Sequence, residues 1–408
     1  MLYKQIEGGV TAPAGFRAAG VAAGIKAGRK DMAMLYSEVP CVTAGTFTSN
    51  VVKAAPVIWD RDIITNHGKA QAVVVNSGIA NACTGEQGMA YCRESARAAG
   101  EALGIDPMLV LTASTGVIGA QLPMDKICSG IRMMAPLLSE SAEAGTMAAQ
   151  AIMTTDTRKK EVAVQTQIGG KTVTIGGMSK GSGMIHPNMC TMLAFLTTDC
   201  VISQDMLQKA LSADIKTTYN MISVDGDTST NDTCILMANH LAGNPAITKD
   251  GPDFQTFCEA LNAVNTYLAR HMAADGEGAT CLFEVKVNGA SDYAEAVRLA
   301  KSVVSSNLVK TAIAGHDANW GRILCAMGYS GADFDPDRVD LFFESGEDSL
   351  QIIHSGVATG YSEEAATRIL SAPEVTARIE MNAGTAQATA WGCDLTHEYI
   401  SINGDYRS

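Results

Sequence analysis

Short apolar segments rich in β-branched residues alternate with helical segments along this chain, and this alternation is what most restricts its fold. Residues 70–76 and 108–114 have the composition of buried strands, and residues 86–103 between them have that of a helix. Residues 161–175 form two alternating strands that meet at Gly169-Gly170, a pair suited to a tight hairpin turn. Hairpins and helices in one chain predict a layered α/β or α+β fold with antiparallel pairing inside its sheets.

The same pattern continues to the C-terminus, with a change near residue 280. Further helices are predicted at residues 137–153, 204–220, 254–273, 292–304 and 362–370, and further strands at 191–199, at 282–287, in a hairpin at 339–354 and in three short segments after residue 370. After Gly278 the strand–helix pattern begins anew. We therefore expect a core domain of residues 1–280 and a smaller C-terminal α/β domain of residues 281–408.

Composition and charge argue against several classes of protein. The chain has 408 residues, 47% of them hydrophobic and 18% charged, which is enough apolar material for large cores. Its net charge of −13 and the absence of a Lys/Arg block argue against nucleic acid or an anionic membrane as partner. No apolar run approaches the ~18 residues of a membrane span, and the N-terminus lacks the apolar core of a secretory signal. We expect a soluble protein of the cytoplasm.

The spacing of the cysteines and histidines predicts no metal site. The 11 cysteines and seven histidines are scattered singly, with no CxxC pair. This spacing matches neither a zinc site nor the dense disulfide framework of a small secreted protein. Gly181-Ser182-Gly183 lacks the strand and helix that a dinucleotide-binding motif requires around it, so no such cofactor is predicted either.

The most unusual segment is SKGSGMIHPNMCTMLAFLTTD, residues 179–199, in which a constrained turn leads into a strand that starts at Thr191. A Thr hydroxyl is a weak nucleophile at neutral pH and needs a base beside it. If the Cys190–Thr191 bond is cut, the new α-amine, with a pKa near ~8, serves as that base within the same residue. The alternative interpretation is a loop that feeds a core strand, and composition alone favours this alternative.

Three other segments carry side chains suited to chemistry. TASTGVIG, residues 112–119, follows a buried strand, and its N–H groups and Thr hydroxyl suit an oxyanion hole, although an ordinary small-residue turn is the simpler interpretation. ISVDGDTSTND, residues 222–232, has three aspartates without the spacing of a calcium loop, which favours a solvated or hydrogen-bonded turn over a cation site. Glu277, flanked by glycines, suits either recognition of a ligand or a position in solvent.

The motifs together resemble one family along nearly the whole chain. The matching segments, in order, are GGVTAPAGFRAAGVAAGIK (8–26), TFTSNVVKAAPV (46–57), VVVNSGIANACTG (73–85), TASTGVIG (112–119), AIMTTDT (151–157), KGSGMIHPNMCTMLAFLTTD (180–199), SVDGDTSTND (223–232), ADGEGAT (274–280), NWGRI (319–323) and EYISINGDYRS (398–408). They closely resemble the ornithine acetyltransferases of arginine biosynthesis, also called bifunctional glutamate N-acetyltransferases or the ArgJ family.

The resemblance implies roles for particular residues. It implies that Thr191 is the nucleophile and that the Cys190–Thr191 bond is the cleavage point. It implies that Thr115 and Gly116 stabilise the oxyanion. The implied substrate contacts are Thr154, Lys180, Thr191, Glu277, Asn403 and Ser408. Physical chemistry agrees, since Lys180 suits a substrate carboxylate and Glu277 suits the ammonium group of ornithine.

The resemblance also implies a reaction, a fold and an assembly. The implied reaction moves an acetyl group from N-acetylornithine to glutamate through an acetyl-Thr191 intermediate, without a bound cofactor or metal. Some members also accept acetyl-CoA, which makes it a candidate co-substrate. The implied fold is an αββα-layered core similar to that of N-terminal-nucleophile hydrolases, with a smaller C-terminal domain whose tail reaches the active site. The implied assembly is a heterotetramer of two α chains (1–190) and two β chains (191–408).

Three positions depart from the pattern of the family. Cys190 stands in place of the usual Ala, Ile79 in place of Asn, and Cys281 in place of Lys. None of them is the nucleophile or one of the oxyanion pair. Two other functions stay open. A self-cleaving aminopeptidase or amidase of the same superfamily would pass the acyl group to water, and a non-catalytic paralogue that binds an amino acid would neither cleave nor transfer.

Overall fold

A computed structural model describes residues 3–186 and 192–405 of the chain. Its α-helices in this part are α1 (Ala55–Asn66), α2 (Gly85–Leu103), α3 (Met124–Met134), α4 (Ala142–Ala151), α5 (Gln204–Asp214), α6 (Pro252–Ala274), α7 (Tyr293–Ser305), α8 (Asn307–Ala314), α9 (Trp320–Gly328), α10 (Glu363–Leu370) and α11 (His397–Asp405). Its β-strands are β1 (Tyr3–Ile6), β2 (Phe16–Val21), β3 (Met32–Phe47), β4 (Lys69–Ile79), β5 (Val110–Val117), β6 (Lys160–Ile168), β7 (Lys171–Lys180), β8 (Leu193–Thr198), β9 (Ile222–Ser223), β10 (Thr233–Ala238), β11 (Leu282–Ala290), β12 (Asp340–Ser345), β13 (Asp348–His354), β14 (Val357–Ala358), β15 (Glu374–Glu380) and β16 (Ala386–Cys393).

The long strand β3 joins two halves of the larger sheet. This sheet has the order β1-β6-β7-β8-β10-β3-β4-β5, with β2 paired to β3 outside that path. The first part of β3 pairs with β2 and β4, its last part pairs with β10, and its register against β4 shifts between Tyr36 and Cys41. An irregularity of this kind bends a strand. β3 therefore belongs to both halves of the sheet.

Three buried cores show how the two halves and the helices are layered. One core combines Val73 and Leu111 of β4 and β5 with Phe195 and Ile235 of β8 and β10, so the two halves face each other. A second core packs α2 and α3 on β4, and a third packs α5 and α6 on β6, β7 and β8. The order is helix, sheet, sheet, helix, which confirms the predicted αββα class.

The smaller sheet has the order β14-β13-β12-β15-β11-β16-β9. Six of its strands come after residue 280, and the two-residue strand β9 comes before it. Helix α6 packs on strands of both sheets. A domain boundary near residue 280 therefore stays a prediction. No helix of the described residues is long and apolar enough to cross a membrane.

Most of the predicted elements are present, and two differ in an informative way. The hairpin is confirmed, with Ile168 paired to Lys171 across the two glycines. The helix predicted at 137–153 begins only at Ala142, because Ser141 caps it with a side chain that accepts a hydrogen bond from Ala144 N (3.2 Å). Two of the three strands predicted after residue 370 are β15 and β16, but the third segment is helix α11.

Candidate active site

A cavity of about 150 Å³ lies at one end of the sandwich and is lined from both halves of the larger sheet. Six residues with implied roles line it together: Thr115, Gly116, Thr154, Lys180, Glu277 and Asn403. They lie at the end of β5, after α4, at the end of β7, after α6 and in α11. Met192, which directly precedes β8, lines the same cavity. Cys190, Thr191 and Ser408 lie outside the described residues.

The backbone at the end of β5 requires glycine at position 116. Gly116 has a φ of +129°, and a Cβ atom there would lie 2.2 Å from the carbonyl carbon of Gly78. β5 runs beside β4 with Gly116 opposite Gly78, which explains this close approach. Only glycine tolerates both the positive φ and the short distance. Thr115 and Gly116 thus form a fixed backbone edge at the cavity, as an oxyanion hole requires.

Lys180 is a buried cation in the cavity wall, with 7% of its surface exposed. Its Nζ donates to Thr154 Oγ1 (2.7 Å) and lies 3.9 Å from Asp156 Oδ2. Burial lowers the pKa of the Lys180 ammonium, and the Asp156 carboxylate opposes that shift. Asp156 also accepts hydrogen bonds from Thr154 N (3.0 Å) and Gly181 N (2.7 Å). One carboxylate therefore orders both Thr154 and the end of β7.

Behind this wall lies a buried ion cluster of Asp156, Lys160 and Asp275. Lys160 Nζ lies 2.7 Å from Asp156 Oδ1 and 2.6 Å from Asp275 Oδ2, and all three side chains are at most 1% exposed. Burial alone would raise the pKa of the Asp156 carboxyl, but the Lys160 and Lys180 ammonium groups hold it well below its usual range. Because Asp275 follows α6 and Lys160 opens β6, the cluster ties the sheet to the segment that carries Glu277.

Glu277 also lines the cavity and is only 9% exposed. Its Oε2 accepts a hydrogen bond from Asn403 Nδ2 (2.7 Å), and its N–H donates to Ser182 O (2.8 Å). A Cβ atom on Gly183 would lie 2.3 Å from the Glu277 carboxyl carbon, so only glycine at position 183 leaves room for the Glu277 side chain. Glu277 is therefore a held carboxylate that faces the cavity, which supports ligand recognition over a position in solvent.

Helix α11 has no buried residues and depends on a few polar contacts for its position. Thr396 Oγ1 donates to Gly278 O (2.7 Å), and Tyr399 Oη donates to Asp225 Oδ2 (3.2 Å). Asp225 also accepts from the N–H groups of Met184 (2.6 Å) and Ile185 (2.9 Å). These tertiary contacts override the β propensity of the segment. Asp225 itself acts in a hydrogen-bonded turn, which is one of the two interpretations that the sequence favoured there.

Asp232 is a site residue that sequence reasoning missed. It is 1% exposed and lines the cavity, whereas the sequence favours a solvated or hydrogen-bonded turn for its segment. Burial raises the pKa of its carboxyl well above the usual range, and hydrogen bonds from Ser229, Thr48 and Met192 only partly oppose this. Its Oδ2 has no hydrogen-bond partner among the described residues. Asn231 and Thr233, on either side of Asp232, are buried where β10 begins. In the sequence, the acidic residues of the preceding turn conceal this sign of burial.

Two of the departures from the family pattern lie among the described residues. Ile79 ends β4 and pairs with Thr115 of β5, and its C=O accepts from Asn76 Nδ2 (2.8 Å). Cys281 is buried, and its N–H donates to Asp394 Oδ1 (3.0 Å). Neither residue is among the described residues that line the cavity.

Comparison with known proteins finds relatives that match nearly the whole chain. The ArgJ family profile matches residues 17–408. The chain is 55% identical over 406 residues to the arginine biosynthesis bifunctional protein ArgJ of Symbiobacterium thermophilum, covering 99% of each chain. It is 51% identical to the protein of that name from Thermotoga neapolitana, covering 97% of this chain and 99% of the other. A crystal structure of the same-named protein of Bacillus halodurans matches with 46% identity and a TM-score of 0.50, over 52% of this chain and 98% of that one.

Substitutions of the adjacent lysines Lys159 and Lys160 should lower stability by different amounts, because only Lys160 belongs to the buried ion cluster. Lys160→Met removes the ammonium between two buried carboxylates and leaves Asp156 with Lys180 at 3.9 Å and Asp275 with the exposed Arg158 at 3.5 Å. It should lower the free energy of unfolding by about 3–5 kcal/mol. The matched control is Lys159→Met, because Lys159 is 42% exposed and pairs with Glu161 near the surface. It should cost less than about 1 kcal/mol. Denaturant unfolding of both variants measures the difference, and equal losses would contradict the role given to the cluster.

Proposed function

The chain belongs to the ArgJ family, as its motifs predict, and we propose that it transfers an acetyl group from N-acetylornithine to glutamate through an acetylated Thr191. The observation that carries this proposal is the convergence of six residues from five separate segments on one cavity beside Met192, the residue that follows Thr191. Oxyanion donors, a cation and a carboxylate face the same small space. These are the groups that acyl transfer between amino acids requires.

The charges of the cavity match the charges of the proposed substrates. Lys180 and Thr154 contact each other in one wall, where they suit the α-carboxylate of N-acetylornithine or of glutamate. Glu277 lies in another wall, where it suits the δ-ammonium of ornithine. Because Asn403 holds one oxygen of Glu277, the carboxylate has a defined direction before substrate binds. The substrate is thus oriented by its two ends, with the acetyl group between them.

The chemistry divides into two halves that share one nucleophile. In the first half, Thr191 Oγ attacks the acetyl carbonyl carbon and gives its proton to the α-amine of Thr191. The C–N bond then breaks, and the departing ornithine nitrogen takes a proton from an acid of the site. In the second half, the amine of glutamate attacks the acetyl ester and gives a proton back to that group, while the α-ammonium returns its proton to Thr191 Oγ as this oxygen departs. Each half passes through a tetrahedral oxyanion, which Thr115 and Gly116 are positioned to stabilise.

The free α-amine of Thr191 requires cleavage after Cys190. The match to the crystal structure from Bacillus halodurans covers 98% of that chain but only 52% of this one. Cleavage after residue 190 would leave a C-terminal piece of 218 of the 408 residues, a similar share. We further propose that the two pieces stay together as a cytoplasmic heterotetramer of two α and two β chains. In this proposal, residues 281–408 form the smaller domain, and Ser408 contributes to the site.

Self-cleavage predicts two pieces in freshly purified protein, of 190 and 218 residues. Thr191→Ala removes the attacking hydroxyl and should leave the chain intact and inactive. Intact-mass measurement of both proteins checks this. An uncleaved wild type that transfers acetyl groups would contradict the mechanism. An uncleaved wild type without transfer would favour the non-catalytic paralogue, and release of acetate without glutamate would favour the amidase.

Two substitutions in the cavity should affect different kinetic constants. Thr115→Ala removes a donor that acts on the oxyanion, so kcat should fall by roughly 10²-fold with little change in KM. Glu277→Gln keeps the shape and removes the charge, so it should weaken N-acetylornithine more than glutamate. Steady-state kinetics with each substrate varied in turn measures both effects. Thr115→Ala with unchanged kcat, or Glu277→Gln with equal effects on both substrates, would refute the respective role.

A further inference from the structure

One carboxyl group of the cavity has no part in the chemistry described so far. Asp232 directly precedes β10, which runs parallel to β8 with Thr233 opposite Leu193. Thr233 N donates to Met192 O (2.8 Å), and the Met192 N–H in turn forms a hydrogen bond with the Asp232 carboxyl. Three covalent bonds separate that nitrogen from the α-amine nitrogen of Thr191. The carboxyl therefore lies against the backbone of Met192, the first described residue after Thr191.

One oxygen of the Asp232 carboxyl lacks a hydrogen bond. The side chain is 1% exposed, and its Oδ2 has no partner among the described residues. A buried polar atom without a partner is costly, and in a folded protein such an atom calls for an explanation. Asp232 lines the cavity together with Thr115 and Gly116, so it belongs to the wall of the space in which the transfer is proposed to occur.

The other charged groups of the cavity are already engaged. Glu277 Oε2 accepts from Asn403, and Lys180 Nζ donates to Thr154 while it faces Asp156. Lys180 is also the charged group that acts on Asp232, where it favours the carboxylate. Burial acts against the carboxylate and exceeds this effect, so the pKa of the Asp232 carboxyl lies well above its usual range.

We infer that Asp232 is a catalytic acid–base residue of the acetyl transfer. This inference rests on the proposed acetyl transfer. In the first half, the Thr191 hydroxyl proton passes to the α-amine, and Asp232 gives its proton to the nitrogen of departing ornithine. The acetyl-enzyme then holds a carboxylate at Asp232 and an ammonium group at Thr191. In the second half, the amine of glutamate gives its proton to Asp232, and the ammonium returns its proton to Thr191 Oγ, which restores the starting state.

A donor whose leaving group needs no proton separates this role from a structural one. Asp232→Asn keeps the shape and hydrogen bonding of the side chain but cannot donate a carboxyl proton. Acetylation by N-acetylornithine should slow by about 10²–10⁴-fold. Acetylation by p-nitrophenyl acetate should stay within about twofold of wild type, because nitrophenolate departs as an anion. Rapid-quench and burst measurements give the two acetylation rates directly.

The matched control is Asp227→Asn, an exposed aspartate of the same acidic turn, which should leave both rates unchanged. Equal losses with both donors in Asp232→Asn would overturn the inference in favour of a structural role, and unchanged rates would overturn it outright. Neither result affects the proposed function, which fails only if wild-type protein takes no acetyl group from N-acetylornithine.

A measurement on the wild type covers the case in which Asp232→Asn is not cleaved. Infrared difference spectra recorded as N-acetylornithine acetylates the protein should lose a carboxylic-acid C=O band and gain a carboxylate band. Asp227→Asn should give the same difference spectrum as wild type. A spectrum without loss of the carboxylic-acid band would contradict the proton transfer from Asp232.

Discussion

The site depends on the ion cluster that Lys160 forms with Asp156 and Asp275. The buried Lys160 ammonium lies between Asp156, four residues away in sequence, and Asp275, 115 residues away. The carboxylates in turn hold the backbone of the surrounding loops, since Asp156 accepts from Thr154 N and Gly181 N. Removing charges of this kind from water is expensive, and the cost is recovered only when all of the partners are in place. The cluster therefore links correct folding of the loops to correct geometry of the cavity.

The cavity keeps its polar groups distinct by giving each one a different environment. Lys180 is buried but faces a carboxylate, and Glu277 is held by the amide of Asn403. Asp232 is buried with one unpartnered oxygen. Burial raises the pKa of the Asp232 carboxyl, whereas two ammonium groups hold the pKa of the Asp156 carboxyl below its usual range, so neighbouring carboxyl groups suit proton transfer and charge pairing respectively. The small volume, about 150 Å³, brings all of these groups close to one bound amino acid.

The sequence predicts helices such as α2 and α6, strands such as β4, β5 and β8, and several residues that line the cavity, because these depend on local pattern and on motifs. It contains no prediction for β3 or β10. It does not predict the bend of β3 that turns one hydrogen-bonded sheet into two facing layers, since a register shift leaves no clear pattern. It also misses α11, which has no buried residues. This helix is held by hydrogen bonds from Thr396 and Tyr399 to residues that are distant in sequence. Asp232 was missed for a similar reason. Its neighbours Asp225 and Asp227 suggest a surface turn, whereas its own burial depends on the pairing of β10 with β8.

The central claim is that the acetyl group passes through Thr191, and trapping it there is the most direct test. Wild-type protein is mixed with N-acetylornithine without glutamate, quenched in acid and analysed by intact mass and peptide sequencing. The account predicts one added acetyl group, on the piece that begins at Thr191 and on that residue, which disappears when glutamate is supplied before the quench. An active protein that carries no acetyl group, or carries it on another side chain such as Lys180, would contradict the account.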